Sequence, residues 1–138
     1  MAARDKFHGA VRTALEKDGW KITHDPLQVK FGIVEMQIDL GAEQLLAAIK
    51  GNHKIAVEIK SFLSLSYISD FYNALGQFLS YKIALEQQEP DRVLYLAVPD
   101  EAYEQFFVLD FTQAAIERYD LKIIVYAPEK EEIAKWIN

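Results

Sequence analysis

Two carboxylates and a lysine in the first half of the chain could together act on a phosphodiester. Glu58 and Lys60 lie two positions apart in an alternating apolar segment, so a β-strand would project both side chains from one face. Asp39 lies on the polar side of an earlier alternating segment. Two carboxylates and a backbone carbonyl can hold Mg²⁺ or Mn²⁺, and a lysine beside them can stabilise phosphate charge or orient water. We therefore predict a metal site at Asp39 and Glu58, with Lys60 next to it.

The spacing of Glu58 and Lys60 is not specific by itself. An acidic residue two positions before a lysine more often belongs to a solvated strand face, and Asp120 and Lys122 repeat the pattern later in the chain. The later pair lacks both a preceding hairpin and an upstream acid on a polar face. The earlier pair is therefore the better candidate for chemistry.

A polar strand face is predicted to lead up to Asp39. Over residues 34–40 apolar side chains occupy every second position, so the intervening side chains share the opposite face. The preceding segment has the other apolar parity, which predicts strands separated by a bulge near Gly32. The residues on the polar face are Glu35, Gln37 and Asp39.

A β-hairpin is predicted to bring Glu58 next to one of two upstream carboxylates. Its strands cover residues 45–49 and 55–60, with a Gly-Asn turn signal between them. With a tight turn there, Glu58 would lie opposite residue 45, which is closer to Glu43 than to Asp39. A bulge just after Asp39 would restore that residue as the partner, so either carboxylate could be the first metal ligand.

Helices and further strands complete the predicted architecture. Apolar residues recur at helical spacing in four segments, and short buried strands lie between them. Ser69 and Asp70 are the capping candidates of the second helix. The result is an α/β fold in which helices flank a mixed sheet. The predicted helices cover residues 3–18, 66–86, 101–118 and 130–137, and the later strands cover 93–98 and 121–126.

The composition indicates one soluble domain. A chain of 138 residues with 51% apolar and 26% charged residues can bury a core as a single domain, residues 1–138. It has no cysteine, which excludes disulfides and thiolate metal sites and favours a cytoplasmic location. No signal-peptide core or bilayer-spanning apolar run is present, so no membrane role is predicted.

The net charge argues against tight nucleic-acid binding by the isolated chain. Lys and Arg number 15 against 21 for Asp and Glu, a formal charge of -6, which weakens attraction to a phosphate backbone. Local positive charge and metal ions can offset net acidity. DNA is therefore still a predicted partner, held with the help of positive surface from another protein. The basic cluster near the predicted site consists of Lys50, His53, Lys54 and Lys60.

Three separate motifs, in the same order, resemble those of the PD-(D/E)xK nuclease superfamily. They are Ile38-Asp39, Val57-Glu58-Ile59-Lys60-Ser61 and the helical Gln77-Phe78-Leu79-Ser80-Tyr81. More closely, the chain is similar to the XisH family over nearly its whole length. The stretches that carry this resemblance are Lys17-Asp18-Gly19-Trp20, Thr23-His24-Asp25-Pro26-Leu27, Asp39-Leu40-Gly41-Ala42-Glu43, Ile55-Ala56-Val57-Glu58-Ile59-Lys60-Ser61-Phe62, Asn73-Ala74-Leu75-Gly76-Gln77-Phe78 and Leu94-Tyr95-Leu96-Ala97-Val98-Pro99.

The resemblance implies a restriction-endonuclease-like fold and assigns roles to individual residues. Asp39 and Glu58 would be the metal ligands, and Lys60 would act in catalysis. Gln77 would lie near the phosphate or the metal-bound water. The resemblance also favours Asp39 over Glu43 as the first ligand.

Two further residues are secondary candidates for the site. Related nucleases often carry a glutamate on the opening helix, and His8 occupies that place here. If it faces the site it would ligate metal or contact phosphate, and otherwise it is an ordinary polar helix position. Tyr81 lies one helical turn after Gln77, on the same stripe. Without a role in the site, Gln77 would be a surface amide and Tyr81 a half-buried residue at the edge of the core.

Two functional hypotheses follow from the resemblance. XisH-like proteins are known as controlling factors for excision of the fdxN element, a developmentally rearranged DNA segment. The first hypothesis is a metal-dependent DNA endonuclease that supports programmed DNA rearrangement, with Mg²⁺ or Mn²⁺ as cofactor. The alternative is a catalytically silent, nuclease-fold accessory module that binds a recombinase or a companion excision factor. A homo-oligomer is compatible with both.

Overall fold

The structure is a computed structural model that describes residues 5–45 and 52–138. Within these ranges the chain forms a six-stranded mixed sheet, a separate two-stranded sheet and helices that cover both faces of the larger sheet. The prediction of an α/β fold with helices flanking a mixed sheet is confirmed.

The elements follow one another from an opening helix to a closing strand. The helices are α1 (His8–Lys17), α2 (Tyr67–Gln88), the short α3 (Asp100–Ala102) and α4 (Asp110–Tyr119), with a π-helical turn over Tyr103–Phe107. The strands are β1 (Lys21–His24), β2 (Leu27–Phe31), β3 (Val34–Ile38), β4 (Leu40–Leu45), β5 (Asn52–Ile59), β6 (Arg92–Pro99), β7 (Ile123–Ala127) and β8 (Glu132–Ile137).

The large sheet has a parallel centre and antiparallel edges. Its strand order is β1-β4-β5-β6-β7-β8, in which β5, β6 and β7 are parallel neighbours. The long helix α2 is the crossover that a parallel β5–β6 pair requires. The carboxyl ends of the three parallel strands therefore lie at one edge of the sheet.

The alternation of side chains in β5 separates two hydrophobic cores. Ile55, Val57 and Ile59 belong to the core that α1 covers. Ala56 belongs to the core beneath α2, and Glu58 has the same parity. The predicted alternation of this strand is confirmed, and it places Glu58 on the α2 side of the sheet.

The segment before Asp39 is a hairpin that contacts α2. Strands β2 and β3 pair antiparallel, and Gly32 and Ile33 form a two-residue turn between Phe31 and Val34. Gly32 has a φ of 61°, which glycine adopts without strain. The predicted bulge near Gly32 is wrong, because the apolar parity changes where the chain reverses direction. Asp39 is the single residue between β3 and β4.

The hairpin formed by β4 and β5 begins earlier than predicted. Its first strand starts at Leu40, whereas the sequence predicted a strand over 45–49. Asn52 pairs with Leu45, so it belongs to a strand and not to the predicted tight turn. Most of the predicted strand and the glycine of that turn lie outside the described residues. With this register Leu40 pairs with Val57.

The helix predicted over residues 101–118 is interrupted. Its first part is α3 and the π-helical turn, which ends at Phe107, and the extended Leu109 separates this part from α4. The Phe107 ring packs edge-on against Phe62 and Phe71. Such contacts between distant segments override local helical preference, and helical spacing does not encode them.

The last element is a strand, so the helix predicted over residues 130–137 is wrong. Strand β8 pairs antiparallel with β7, and Trp136 packs against Trp20 and Tyr95. A short apolar pattern fits both helical and strand periods. Pairing with the sheet edge and contacts to distant aromatic rings decide the outcome.

The ends of the first two long helices differ from the prediction. In the described part of the chain α1 begins at His8, later than the predicted residue 3. Ser66 is the N-cap of α2, since its hydroxyl accepts from the amide of Ser69 at 3.2 Å. Asp70 accepts instead from the amide of Ser64 at 3.4 Å, so neither predicted cap is the N-cap. No helix in the described ranges is long and apolar enough to cross a membrane.

Candidate functional site

Asp39 and Glu58 occupy adjacent positions on paired segments. Leu40 pairs with Val57, and the next residues outward are Asp39 and Glu58. The backbone amide of Asp39 donates to Glu58 Oε1 at 3.3 Å, and the amide of Ile59 donates to Asp39 Oδ2 at 2.7 Å. Each carboxylate is thus held by a backbone N–H from the segment that carries the other.

Glu58 is buried beneath α2 with one cation beside it. Its side chain is 7% exposed, and Lys60 Nζ lies 3.5 Å from its Oε2. Burial, followed by the charge of Asp39, raises the pKa of Glu58 to about 8, while Lys60 lowers it. Because the ionised form is disfavoured here, a further cation at this place would be strongly attracted once the proton is lost.

Tyr81 of α2 supplies a hydrogen bond to the buried acid. Its hydroxyl donates to Glu58 Oε2 at 3.5 Å, and its ring lies in the core beneath α2. Burial, then the charges of Glu58 and Asp39, raises the pKa of Tyr81. The phenol therefore stays protonated and remains a donor at neutral pH. The interpretation of Tyr81 as a core-edge residue accounts for its ring but not for its hydroxyl.

The oxygen donors at this place fit a hard divalent cation. Asp39 and Glu58 each have a second carboxylate oxygen beyond the one that a backbone N–H engages, and Mg²⁺ and Mn²⁺ prefer oxygen. Among residues 5–45 and 52–138, no group of three His, Asp or Glu side chains is placed to hold a metal ion. A bound ion would therefore rely on the two carboxylates, with water or phosphate oxygens completing its ligands.

Gln77 has an unsatisfied carbonyl oxygen on the same helix. It precedes Tyr81 by one turn of α2, so the two side chains share a stripe. Its Oε1 is buried and has no hydrogen-bond partner among the described residues. Buried polar atoms are normally paired, so this oxygen is suited to a water or ligand donor. Gln77 is therefore not the surface amide of the alternative interpretation.

Glu43 lies too far along β4 to share the site with Glu58. It pairs with Lys54 and follows Asp39 by four residues, which corresponds to roughly 13 Å of extended strand. Its carboxylate lies 4.0 Å from Arg92 Nη2. The structure thus brings Asp39, and not Glu43, to Glu58.

His8 is buried, and its contacts lead to Asp25. His8 Nε2 lies 2.8 Å from Asp25 Oδ1, and Arg12 Nη1 donates to Asp25 Oδ2 at 2.5 Å. His8 Nδ1 is buried and has no hydrogen-bond partner among the residues that the structure describes. These contacts make His8 part of a polar link between α1 and the β1–β2 connection. They do not join it to Asp39 or Glu58.

Asp5 and Tyr126 hold the backbone that follows Glu58, and the sequence interpretation missed both. The amide of Ser61 donates to Asp5 Oδ2 at 3.0 Å, and the Tyr126 hydroxyl donates to the carbonyl of Lys60 at 3.0 Å. The two bonds fix both ends of one peptide linkage, directly after the lysine of the site. They join segments far apart in the sequence, so no local pattern indicated them.

The second copy of the acid-lysine spacing forms no comparable site. Asp120 ends α4 with a φ of 51°, and its side chain is 70% exposed. Lys122 Nζ lies 3.8 Å from it. Asp120 is therefore exposed, whereas Glu58 is buried.

The fold and these contacts define a mixed α/β protein with a carboxylate pair and a lysine near the carboxyl end of β5. The family model described as XisH protein matches residues 1–134 of the chain. The chain therefore belongs to the XisH family.

Two solved structures are similar over nearly the whole chain. An XisH family protein from Nostoc punctiforme PCC 73102 is 49% identical, with a TM-score of 0.88 and coverage of 97% of this chain and 100% of that chain. An fdxN element excision controlling factor protein from Anabaena variabilis is 51% identical, with a TM-score of 0.88 and coverage of 98% and 100%. No curated protein matches the chain.

Proposed function

We propose that this protein is a metal-dependent DNA endonuclease that supports excision of a DNA element. The observation that carries the proposal is the mutual holding of Asp39 and Glu58 with the Lys60 ammonium 3.5 Å from Glu58. The order of these residues along the chain, and the helical Gln77 and Tyr81, resemble the PD-(D/E)xK pattern. The similarity to an fdxN element excision controlling factor supports excision as the process.

In this proposal the chain positions each group before substrate arrives. Asp39 and Glu58 would hold Mg²⁺ or Mn²⁺, which supplies Lewis acidity and an activated water at neutral pH. Lys60 would stabilise the charge that develops on the phosphate, and its ammonium lies 3.5 Å from Glu58 Oε2. Tyr81 orients Glu58 by its hydrogen bond, as partners of metal ligands commonly do. The resemblance would place the Gln77 oxygen near the metal-bound water, from which it would accept a hydrogen bond.

Burial of Glu58 gives the site a proton-dependent affinity for metal. Glu58 has to lose its proton before it can act as a ligand. Its raised pKa means that metal and proton compete near neutral pH. Lys60 counteracts part of this rise, so it also helps to keep Glu58 ionised.

A second candidate function is an accessory module that binds a recombinase or a companion excision factor. The observation in its favour is electrostatic: a chain with a formal charge of -6 attracts DNA weakly. A partner with positive surface would then hold the DNA, and the acid pair would serve structure or regulation. The two candidates differ in whether the protein itself cleaves.

The test of the proposal is nicking of supercoiled plasmid by the purified protein with Mn²⁺ at low salt. We expect nicked product with wild type, and its loss in EDTA and in Asp39→Asn. The exposed-acid variant Asp120→Asn serves as the matched control and should keep full activity. Product that survives EDTA or Asp39→Asn would refute the proposed site, and absence of product on every DNA form tested would favour the accessory module.

A further inference from the structure

A cavity lies at the carboxyl ends of the three parallel strands. Its volume is about 610 Å³, within the usual range for ligand pockets. Ser61 borders it just after β5, Pro99 at the end of β6, and Ala127 at the end of β7. In α/β sheets, binding sites concentrate outside this edge. The contacts of the acid pair and of Lys60 do not use this cavity.

The apolar lining of the cavity continues onto the outer surface. Phe62 and Tyr67 line it and pack against each other edge-on, with ring centroids 6.2 Å apart. Leu63 is 56% exposed and Leu65 is fully exposed at the same lining. Exposed leucines that extend a cavity outward indicate contact with a surface larger than a small molecule.

The charges around the cavity are mostly negative. Among the described residues that line it, Asp100, Glu101 and Glu129 are acidic, and Lys130 is the one cation. The first turn of α2, which reaches the cavity at Tyr67, is capped by Ser66 and contains the acidic Asp70. Its partial positive charge is therefore offset. A phosphate backbone would be repelled here, whereas arginine or lysine side chains would be attracted.

We propose that this cavity is the docking site for a segment of a partner protein in which an apolar residue is flanked by arginine or lysine. The apolar residue packs against the cavity faces of Phe62 and Tyr67, and the cations face Glu101 and Glu129. This inference goes beyond the proposed function, because it holds whether or not the protein cleaves DNA. Ser61 directly follows Lys60, so the bound cations would also lie beside the candidate site.

The test uses a library of random short linear peptides, selected for binding to the full chain. We expect the selected peptides to combine leucine-like and basic residues. Their affinity should fall at least about tenfold in Glu101→Lys/Glu129→Lys and stay unchanged in Glu104→Lys/Glu117→Lys, which makes the same change of charge at exposed positions outside the cavity. Leu65→Ser, at a fully exposed side chain, should also weaken binding without disturbing the core.

Several outcomes would overturn the docking proposal. One is that no peptide binds above background. Others are that the selected peptides are acidic, or that they bind the cavity variant as tightly as wild type. Equal loss in the control pair would show a general charge effect instead of a site. A short DNA duplex whose binding is lost in Leu65→Ser would assign the cavity to nucleic acid.

Discussion

Asp39 and Glu58 hold each other in place through the backbone. The amide of Asp39 donates to Glu58 at 3.3 Å, and Asp39 accepts from the amide of Ile59 at 2.7 Å. The two carboxylates are therefore fixed side by side, and burial, followed by the charge of Asp39, raises the pKa of Glu58. A divalent cation bound to both carboxylates would offset the repulsion between their negative charges.

Mn²⁺ is expected to stabilise the wild-type fold by binding the native state. At a free concentration one hundred times the dissociation constant, the gain is about 2.7 kcal/mol, or roughly 8 °C in melting temperature. Glu58→Gln should lose this shift, because the neutral amide is a poorer ligand for a hard cation. The measurement is a thermal melt at pH 8.5 with and without Mn²⁺.

Two matched variants test whether a different carboxylate holds the metal. Glu43→Gln removes the carboxylate that lies near Arg92, and Asp120→Asn removes the exposed carboxylate that ends α4. Asparagine also accepts the left-handed backbone at position 120. Both variants should keep the Mn²⁺ shift of wild type. A loss in either one as large as that in Glu58→Gln would place the metal elsewhere.

The metal-free protein is expected to lose stability as pH rises through the range in which Glu58 ionises. The pKa of Glu58 rises from 4.5 to about 8 on folding, so the native state binds more protons than the unfolded state between these values. The stabilising contribution is present below pH 4.5 and lost as pH passes about 8. The glutamine side chain of Glu58→Gln does not titrate. This variant should therefore be more stable than wild type at pH 9, by on the order of 2 kcal/mol.

Melting temperatures in EDTA at several pH values check this prediction. The difference between Glu58→Gln and wild type should widen from pH 5 to pH 9. With Mn²⁺ the affinity of wild type should rise about tenfold per pH unit below pH 8, since one proton leaves for each ion bound. A stability difference that does not vary with pH would show that Glu58 is already ionised at low pH in the folded protein.

The proximity of Glu58 and Lys60 could be predicted from the sequence. A strand period of two predicts that the two side chains project together, and Lys60 Nζ lies 3.5 Å from Glu58 Oε2 although β5 ends at Ile59. The choice between Asp39 and Glu43 could not be made from spacing, because it depends on the strand register. Leu45 pairs with Asn52, and this register moves the partner of Glu58 to Asp39.

The parts of the fold that depend on distant contacts could not be predicted. Trp136 lies in a strand because it pairs along β7 and meets Trp20, and the local pattern fits a helix equally well. The bond from Ser61 to Asp5 joins residues 56 positions apart. Its position follows from the assembled fold, and no local motif marks it.

Tyr81→Phe is expected to weaken metal binding by up to about tenfold, because it removes the hydroxyl that donates to Glu58. The pH profile of metal binding should also move to higher pH, since Glu58 would lose a donor to its ionised form. Tyr72→Phe is the control, because Tyr72 lies on the same helix and is 61% exposed. Identical behaviour of the two variants in calorimetric titration with Mn²⁺ would show that the Tyr81 hydroxyl has no role in the site.

Lys60 distinguishes a catalyst from a protein that only binds metal. Its ammonium would meet charge that develops in the transition state, so Lys60→Ala should keep the fold and, at pH 8.5, most of the affinity for Mn²⁺. Lys122→Ala, the lysine of the repeated spacing, is the matched control and should cleave like wild type. Lys60→Ala should therefore lower the rate of DNA cleavage and leave metal binding largely unchanged.

The most direct measurement is the rate of nicking of supercoiled and branched DNA at saturating Mn²⁺, compared between wild type and Lys60→Ala. We expect a rate at least about one hundredfold lower in the variant, with bound Mn²⁺ unchanged. Equal rates in the two proteins, or a wild type that cleaves neither form of DNA, would contradict the claim that Asp39, Glu58 and Lys60 form a nuclease site.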